Sequence, residues 1–440
     1  MIKKATYVFL FLFAVPFLSS AQNRQEKAKY FLQQLEREQF DSCVANFDTL
    51  LSNKVSAEML NKIWISFPQY FGDYKGVLEV SSEMKDTLER VKLLCVFERM
   101  KIHLNLVYSP QDKIVGITFV PAGSTGTYKL PAYAKLSAFS EQKVIVKSGK
   151  YNLPGVLCLP NHVLNPPVAI LLAGSGPNDK DETIGPNKIL KDLAVGLASL
   201  GVGSLRYDKR TLVYGEELKK STNIGIQEEV IEDALSAVKL LSTLPETKAS
   251  KLIVIGHSLG GMCAPLVAAK SSKVKGLVLM GANARPLEDL LPEQFEYLFS
   301  LDSLDAEEKQ SLLDLNRQIK RVKNPAQLKT SPTDSLPLGL PSSYWQSLNK
   351  YNQLTTAKKL KQAILVLQGK RDYQVLMKDF EIWKNELQSS DKNKFIAYEK
   401  LNHLFTSGEG KSTPAEYQKQ GNLEEQVIRD IAEWILSIQK

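Results

Sequence analysis

A strand, a tight turn and a helix follow one another in the middle of the chain, and this succession constrains the fold more than any other feature. Residues 251–270 read KLIVIGHSLGGMCAPLVAAK. Leu252–Ile255 is an apolar, β-branched run typical of a buried strand, and Met262–Lys270 has the composition and spacing of a helix. Between them lies Gly256-His-Ser-Leu-Gly260, a G-x-S-x-G turn. A side chain at either glycine would collide with the neighbouring helix or strand.

The G-x-S-x-G pattern also arises by chance, so by itself it is only a hypothesis. The buried strand directly before it and the helix directly after it favour a nucleophile elbow, in which the Ser258 hydroxyl is exposed at a helix N-terminus. Backbone N–H groups at such a terminus can stabilise an oxyanion. Leu259, the residue after Ser258, is the first candidate donor.

Strand and helix patterns alternate from about residue 141 to the C-terminus. This alternation predicts the α/β class, with a mostly parallel sheet that carries helices on both faces. The predicted strands are Lys143–Val146, Gly155–Leu159, Pro167–Leu172, Gly203–Tyr207, Leu252–Ile255, Val274–Met280, Ala363–Leu367 and Phe395–Tyr398. A helix-rich stretch at about 285–360 interrupts the alternation and predicts a helical cap over Ser258. A solvated side bundle away from Ser258 is the alternative.

The region before residue 120 has a different character. Its first part, from Arg24 to about Leu60, has helical spacing, and the part from about Tyr74 to Val120 alternates as strands do. Helices followed by a strand meander predict a small α+β domain over residues 22–120. The Gly- and Pro-containing segment Pro121–Thr127 begins a linker, placed at 121–140. The chain is thus expected to form two domains, the second over residues 141–440.

The first 21 residues predict export. Lys3 and Lys4 precede a 14-residue apolar run, Ala5–Leu18, and Ser19-Ser-Ala21 provides small residues for cleavage before Gln22. The apolar run is short for a transmembrane helix, and no cysteine follows the cleavage site to carry a lipid. The expected mature protein is periplasmic or secreted and has no stable membrane anchor.

Charge and composition exclude several classes of function. The formal net charge is +8, but the charges are scattered, so binding to nucleic acid is not expected. The four histidines show no ligand spacing to each other or to the four cysteines, so neither a metal nor another cofactor is predicted. Cys43 and Cys95 fall in the same predicted domain and could form a disulfide in an oxidising compartment.

A serine nucleophile needs a general base, and only His403 satisfies the order of residues in this fold, where acid and then histidine follow the serine. His403 follows the last predicted strand. His257 adjoins Ser258 and should point away from it. His103 belongs to the first domain, and His162 precedes the serine in a polar loop.

The orienting acid should follow the strand before the histidine loop. Ala363–Leu367 ends in Gln-Gly-Lys-Arg-Asp372, which places Asp372 at the carboxyl end of a buried strand. Asp391, in a polar loop, and Glu399, on the last strand, are poorer candidates. Ser258, Asp372 and His403 are therefore the predicted catalytic triad.

The second oxyanion donor should follow the strand Pro167–Leu172, where Gly174 or Ser175 could bring a backbone N–H close to a substrate. The sequence Ala173-Gly-Ser-Gly-Pro177 is not a dinucleotide-binding fingerprint, because Asp179 occupies the position of its third glycine. The choice between Gly174 and Ser175 stays open.

Five motifs resemble a bacterial group of exported α/β-hydrolases similar to EstD-type carboxylesterases, often labelled serine aminopeptidase-like. The resemblance extends from about Glu141 to the C-terminus. The motifs are Gly174-Ser-Gly-Pro-Asn-Asp179, Asp181-Glu-Thr-Ile-Gly-Pro-Asn-Lys188, Arg206-Tyr-Asp-Lys-Arg210, Gly256-His-Ser-Leu-Gly-Gly261 and Ala284-Arg-Pro-Leu-Glu288.

The resemblance implies an α/β-hydrolase fold with a helical cap, preceded by a small domain of the DUF3887 type, similar to nuclear-transport-factor-2 or cystatin-like folds. One departure concerns the oxyanion loop, which in the family commonly opens with His-Gly and here reads Ala173-Gly174. Arg206, Asp208 and Arg210 match the family, and we interpret them as structural ion pairs.

The expected activity is hydrolysis of short-chain carboxylic esters, with a small-molecule ester as substrate. A triad alone does not distinguish ester from amide, so a peptidase of the same fold is the nearest alternative. Acyl transfer to an acceptor other than water is a second one. A non-catalytic envelope binding protein that keeps the fold is a third. The sequence gives no indication of oligomeric state.

Overall fold

The computed structural model describes residues 16–98, 100–122, 128–218, 224–301 and 306–438. The chain divides into two compact units between residues 123 and 124, and each has its own hydrophobic core. Most of the predicted signal peptide lies outside the described residues. Within the described ranges, no helix combines the length and the apolar character that crossing a membrane requires.

In its described residues, the first unit has four helices followed by an antiparallel four-stranded sheet in the order β1-β2-β3-β4. Its elements are α1 (Pro16–Glu36), α2 (Phe40–Val44), α3 (Thr49–Ser52), α4 (Ala57–Phe71), β1 (Tyr74–Lys85), β2 (Leu88–Phe97), β3 (Lys101–Tyr108) and β4 (Ile114–Ala122). Every second side chain of β2 and β3 is buried against the helices, as in Leu93 and Leu104, which pack with Phe31 and Leu32 of α1. The predicted α+β arrangement is confirmed.

The second unit is built on an eight-stranded sheet in the order β14-β13-β12-β11-β7-β10-β6-β5. The strands are β5 (Phe139–Ser148), β6 (Tyr151–Pro160), β7 (Val168–Leu172), β8 (Thr183–Ile184), β9 (Asn187–Lys188), β10 (Gly203–Tyr207), β11 (Leu252–His257), β12 (Val274–Met280), β13 (Ala363–Gly369) and β14 (Lys394–Tyr398). β7 and β10–β14 are parallel, β5 and β6 are antiparallel additions, and β8 and β9 form a separate hairpin. All eight predicted strands are present.

Helices cover both faces of this sheet. They are α5 (Ile189–Ser199), α6 (Arg210–Val213), α7 (Gly215–Leu218), α8 (Glu232–Leu241), α9 (Leu259–Lys270), α10 (Leu287–Phe299), α11 (Ala306–Val322), α12 (Pro325–Thr330), α13 (Ser342–Asn349), α14 (Gln353–Lys358), α15 (Met377–Leu387) and α16 (Glu425–Ser437). A π-helical turn, Gln227–Ile231, precedes α8. On β11, Val254 packs with α8 and α9, whereas Ile253 and Ile255 face α5 and α16. The α/β-hydrolase fold is therefore confirmed.

The predicted cap corresponds to helices α10–α14, which are inserted between β12 and β13. The Tyr351 hydroxyl donates to the carbonyl of Met262 in α9 at 2.8 Å, and the Ser343 hydroxyl donates to the carbonyl of Ile224 at 3.0 Å. The insertion thus packs on the helix that follows Ser258, and its position as a cap over Ser258 stays a prediction.

The predicted linker at 121–140 is too long. Residues 123–127 lie outside the described part, and the residues after them belong to the second unit. The Tyr128 hydroxyl donates to Asp192 Oδ1 and the Tyr133 hydroxyl to the carbonyl of Leu423, both at 2.8 Å. These two tyrosines tie the segment to α5 and to the start of α16, which composition alone did not indicate.

Candidate active site

Ser258 lies between β11 and α9 in a strained backbone conformation, with φ 51° and ψ −118°. The glycines around it are required by close backbone contacts. A Cβ at position 256 would lie 2.2 Å from the carbonyl carbon of Gly260, and a Cβ at position 260 would lie 2.3 Å from the carbonyl oxygen of Leu172. Ser258 is partly exposed between buried neighbours, so the turn presents its hydroxyl to a reactant.

Asp372 and His403 form a buried pair at the ends of β13 and β14. Nδ1 of His403 lies 2.7 Å from Oδ2 of Asp372. Oδ1 of the same carboxylate accepts the backbone N–H groups of Gln374 and Val375, and Oδ2 also accepts the side-chain amide of Gln368. Since the carboxylate only accepts, the Nδ1 proton of His403 points at it. Nε2 is then the nitrogen free to take up a proton.

Backbone contacts bring this pair to the same edge of the sheet as Ser258. The Ser258 N–H donates to the carbonyl of Met280 at 2.9 Å. A Cβ on the next residue, Gly281, would lie 3.3 Å from both Asp372 Oδ2 and His403 Nδ1. The structure therefore places the three residues of the predicted triad around one point, the carboxyl end of β12.

His257 makes two contacts that its position in the sequence did not predict. Its Nδ1 lies 2.9 Å from Glu182 Oε1, and its Nε2 lies 2.9 Å from the carbonyl oxygen of His403. His257 is buried and thus connects the elbow to the loop that carries His403.

The oxyanion loop after β7 runs directly beside the elbow. A Cβ at Gly174 would lie 3.3 Å from the Cβ of Ser258 and 2.9 Å from Glu182 Oε1, so a side chain there would displace the Glu182 carboxylate. The Gly174 N–H already donates to Glu182 Oε1 at 2.7 Å. Because the Gly174 N–H already has this partner, Ser175 is favoured over Gly174 as the second oxyanion donor. Ser175 is exposed, and its N–H has no partner among the described residues.

Leu259 is the first residue of α9, and the N–H groups of a first helical turn have no partner within the helix. The N–H groups of Leu259 and Ser175 therefore remain the two candidate donors to an oxyanion beside Ser258. The helix dipole adds to this preference for negative charge.

The charged residues of the Arg206–Arg210 motif form buried ion pairs. Arg206 Nε lies 2.9 Å from Asp181 Oδ1, Lys180 Nζ lies 2.9 Å from Asp208 Oδ1, and Arg210 pairs with Asp233. These contacts agree with the structural interpretation of the motif.

Two residues near the loop were missed by sequence reasoning, namely Glu182 and Lys209. Lys209 Nζ donates to the carbonyl oxygen of Gly174 at 2.7 Å. Both residues are buried. Each lies within a motif that carries the family resemblance, and that position in a motif was the available signal.

The other residues considered from the sequence were possible metal ligands and the four cysteines. The described residues contain no group of His, Cys, Asp and Glu side chains that could hold a metal ion. All four cysteines are buried free thiols, Cys43 and Cys95 included. Burial raises the pKa of Cys43 and of Cys95 to about 12.

The sheet order, the strained serine after β11 and the acid and histidine after β13 and β14 define an α/β-hydrolase. Residues 188–409, half of the chain, match the family model described as serine aminopeptidase, S33. Residues 28–117 match a family of unknown function, DUF3887. Esterase EstD from Thermotoga maritima is 37% identical over 429 residues, covering 98% of this chain and 99% of EstD. The chain therefore belongs to the S33-type α/β-hydrolases, in the group that includes esterase EstD.

Solved structures with lower similarity were also found. Est1E from Butyrivibrio proteoclasticus is 16% identical, covers 67% of this chain and 98% of that chain, and has a TM-score of 0.46. An esterase from Pyrococcus furiosus is 13% identical, covers 72% and 97% of the two chains, and has a TM-score of 0.43.

Proposed function

We propose that this protein hydrolyses carboxylic esters through an acyl-enzyme on Ser258. The observation that carries the proposal is the buried Asp372–His403 pair beside a strained, accessible serine. The full-length relationship to a protein named as an esterase supports the ester as substrate class.

In the first half of the reaction, Ser258 Oγ attacks the ester carbonyl carbon while His403 Nε2 takes the hydroxyl proton. The carbonyl oxygen becomes an oxyanion, which the N–H groups of Leu259 and Ser175 stabilise. The tetrahedral intermediate then collapses, the bond to the alcohol oxygen breaks, and His403 returns the proton to the leaving alcohol.

In the second half, His403 takes a proton from water, whose oxygen attacks the acyl carbon. The bond to Ser258 Oγ breaks, Oγ regains the proton, and the carboxylic acid leaves. Asp372 holds the imidazole with Nδ1 protonated and stabilises the imidazolium that forms in each half.

The proposed substrates carry short acyl chains. The insertion packs on α9, the helix that follows the nucleophile, through Tyr351 and α14, and a pocket roofed by this insertion would favour small acyl groups. A lipase would need a broad exposed apolar surface. Among the described residues of the insertion, the exposed large apolar side chains are Leu313 and Leu338 only.

The test is kcat/KM across acetyl, butyryl, octanoyl and longer p-nitrophenyl esters and an aminoacyl p-nitroanilide. We expect a maximum at acetyl to butyryl, and Ser258→Ala should lose at least about 10³-fold in kcat while remaining folded. A maximum at long chains would indicate a lipase. Faster cleavage of the aminoacyl amide would indicate a peptidase, and an unchanged Ser258→Ala variant would refute the nucleophile.

We also propose that residues 1–21 direct export and are removed. The support is the order of Lys3 and Lys4, the apolar run Ala5–Leu18 and the small residues Ser19-Ser-Ala21. The mass and N-terminal sequence of the protein recovered from the cell envelope or the medium should show a chain that begins at Gln22. An intact Met1 in a cytoplasmic protein would contradict export.

A further inference from the structure

The peptide group after Gly174 is held by a buried cation. Lys209 Nζ donates to the Gly174 carbonyl oxygen at 2.7 Å, and the side-chain amide of Asn178 donates to the same oxygen at 3.1 Å. On the other side of the residue, the Gly174 N–H donates to Glu182. Both backbone polar groups of Gly174 are thus fixed by side chains.

The cation is part of a chain of three buried side chains that ends in the helical insertion. Lys209 Nζ lies 2.5 Å from Glu229 Oε1, and Glu229 Oε2 accepts the Tyr344 hydroxyl proton at 2.6 Å. Glu229 lies in the π-helical turn Gln227–Ile231, and Tyr344 lies in α13. Single π-helical turns are rare in proteins, and those that occur often lie at functional sites.

The contact between Lys209 and the Gly174 carbonyl also affects the N–H of Ser175, because both groups belong to one peptide bond. The carbonyl of Gly174 and the N–H of Ser175 belong to one planar, trans peptide group, so they point in opposite directions. A side chain that fixes the carbonyl oxygen therefore fixes the direction of the Ser175 N–H. A cation on the oxygen also polarises the peptide and strengthens the N–H as a donor.

We propose that Lys209, Glu229 and Tyr344 form a positioning relay that orients and polarises the Ser175 N–H for the oxyanion, and that ties this donor to the cap. The inference rests on the proposed function, in which the Ser175 N–H stabilises the oxyanion. None of the three side chains needs to touch the substrate. Their effect on the rate passes through one peptide group.

The first test is Lys209→Met, which keeps the apolar stem and removes the ammonium. A donor that acts only on the oxyanion stabilises the transition state, so kcat should fall about 10- to 100-fold while KM changes less than about threefold. An alkyl trifluoromethyl ketone forms a tetrahedral adduct with Ser258 and places an oxyanion at the same point. Its inhibition constant should rise by the factor by which kcat/KM falls.

Lys209→Met leaves Glu229 without its cation and could fail to fold, so Tyr344→Phe provides the second variant. It removes one hydroxyl and should lower kcat about three- to tenfold with the same small effect on KM. Tyr351→Phe is the matched control, since it removes another hydroxyl of the insertion, a partly buried one that donates to α9 and has no hydrogen bond with Lys209, Glu229 or Tyr344 among the described residues. Its kcat should equal that of the wild type.

Labelling of Ser258 by a fluorophosphonate separates this proposal from the proposed function. If the wild type is labelled and turns over ester, but folded Tyr344→Phe and Lys209→Met match it in kcat and in ketone affinity, the relay is refuted and the serine hydrolase stands. Equal losses in Tyr344→Phe and Tyr351→Phe would also refute the relay. A wild type that is neither labelled nor active would refute the proposed function itself.

Discussion

At the scale of single residues, the two hydrogen bonds of His257 indicate that a charged pair is buried beside Ser258. Its two nitrogens both face acceptors, Glu182 Oε1 and the carbonyl oxygen of His403. A neutral imidazole carries only one N–H, so both hydrogen bonds form together only in the imidazolium. Burial opposes the charge, but the Glu182 carboxylate raises the pKa of His257 above its ordinary 6.5.

The same contact acts on Glu182 in the opposite direction. Burial opposes ionisation of the carboxyl group, but the His257 imidazolium holds the pKa of Glu182 below its ordinary 4.5. The raised pKa of His257 gives stability that is complete below pH 6.5 and is lost as the pH rises through the folded value. The lowered pKa of Glu182 gives stability above pH 4.5. The pair therefore stabilises most between these two values.

Glu182→Gln should remove this pH dependence. The amide can still accept the Gly174 N–H, but buried His257 loses the carboxylate that raises its pKa. The wild type should be more stable than the variant at about pH 5.5. The difference should shrink above pH 6.5 by up to about 1.4 kcal/mol per pH unit, because the unfolded chain is then deprotonated at His257 while the folded wild type still binds that proton. Urea unfolding of both proteins at about pH 5.5 and about pH 8 measures this difference.

Asp181→Asn is the matched control for that experiment. Asp181 is another buried carboxylate in the same loop, but its partners are Arg206 and Lys188, which stay charged throughout the range. Its destabilisation should be the same at both pH values. A Glu182→Gln effect that is equally independent of pH would show that the pair does not hold a buried imidazolium.

At the scale of elements, the features that could be predicted from the sequence are those that depend on the local pattern of residues. β11, the glycine turn and α9 follow one another without a break, and the steric need for Gly256 and Gly260 arises from the elbow itself. His403 and Asp372 could be found because the order of strands in the fold places each after a particular buried run. The helical insertion was recognised because it interrupts an otherwise regular alternation.

The contacts around Gly174 could not be predicted in this way. Glu182, Lys209 and Glu229 come from three separate parts of the chain, and a charged residue in a sequence is ordinarily expected on the surface. Their burial follows from the tertiary fold, which also directs the Gly174 N–H to a carboxylate. The π-helical turn that positions Glu229 likewise leaves no trace in the spacing of apolar residues, which continues into α8.

At the scale of the whole molecule, the two units have separate cores. The core of the first unit is formed by residues between Ala28 and Phe119, whereas the cores of the second begin at Tyr133. Every residue of the proposed triad, oxyanion site and relay lies in the second unit. A unit with its own core can fold alone, so the chemistry should not require the first unit.

A shortened chain that begins at residue 124 should therefore fold and keep a fluorophosphonate-reactive Ser258, with kcat/KM for a butyryl ester within about threefold of the full chain. A second chain that begins at Lys135 provides the comparison. It lacks the hydroxyls of Tyr128 and Tyr133, which donate to Asp192 and to the carbonyl of Leu423. Each buried partner left without its donor costs about 1–3 kcal/mol, so the second chain should melt at a lower temperature. If the chain from residue 124 is folded but unreactive, as judged by circular dichroism and labelling, then the first unit contributes to the active site after all.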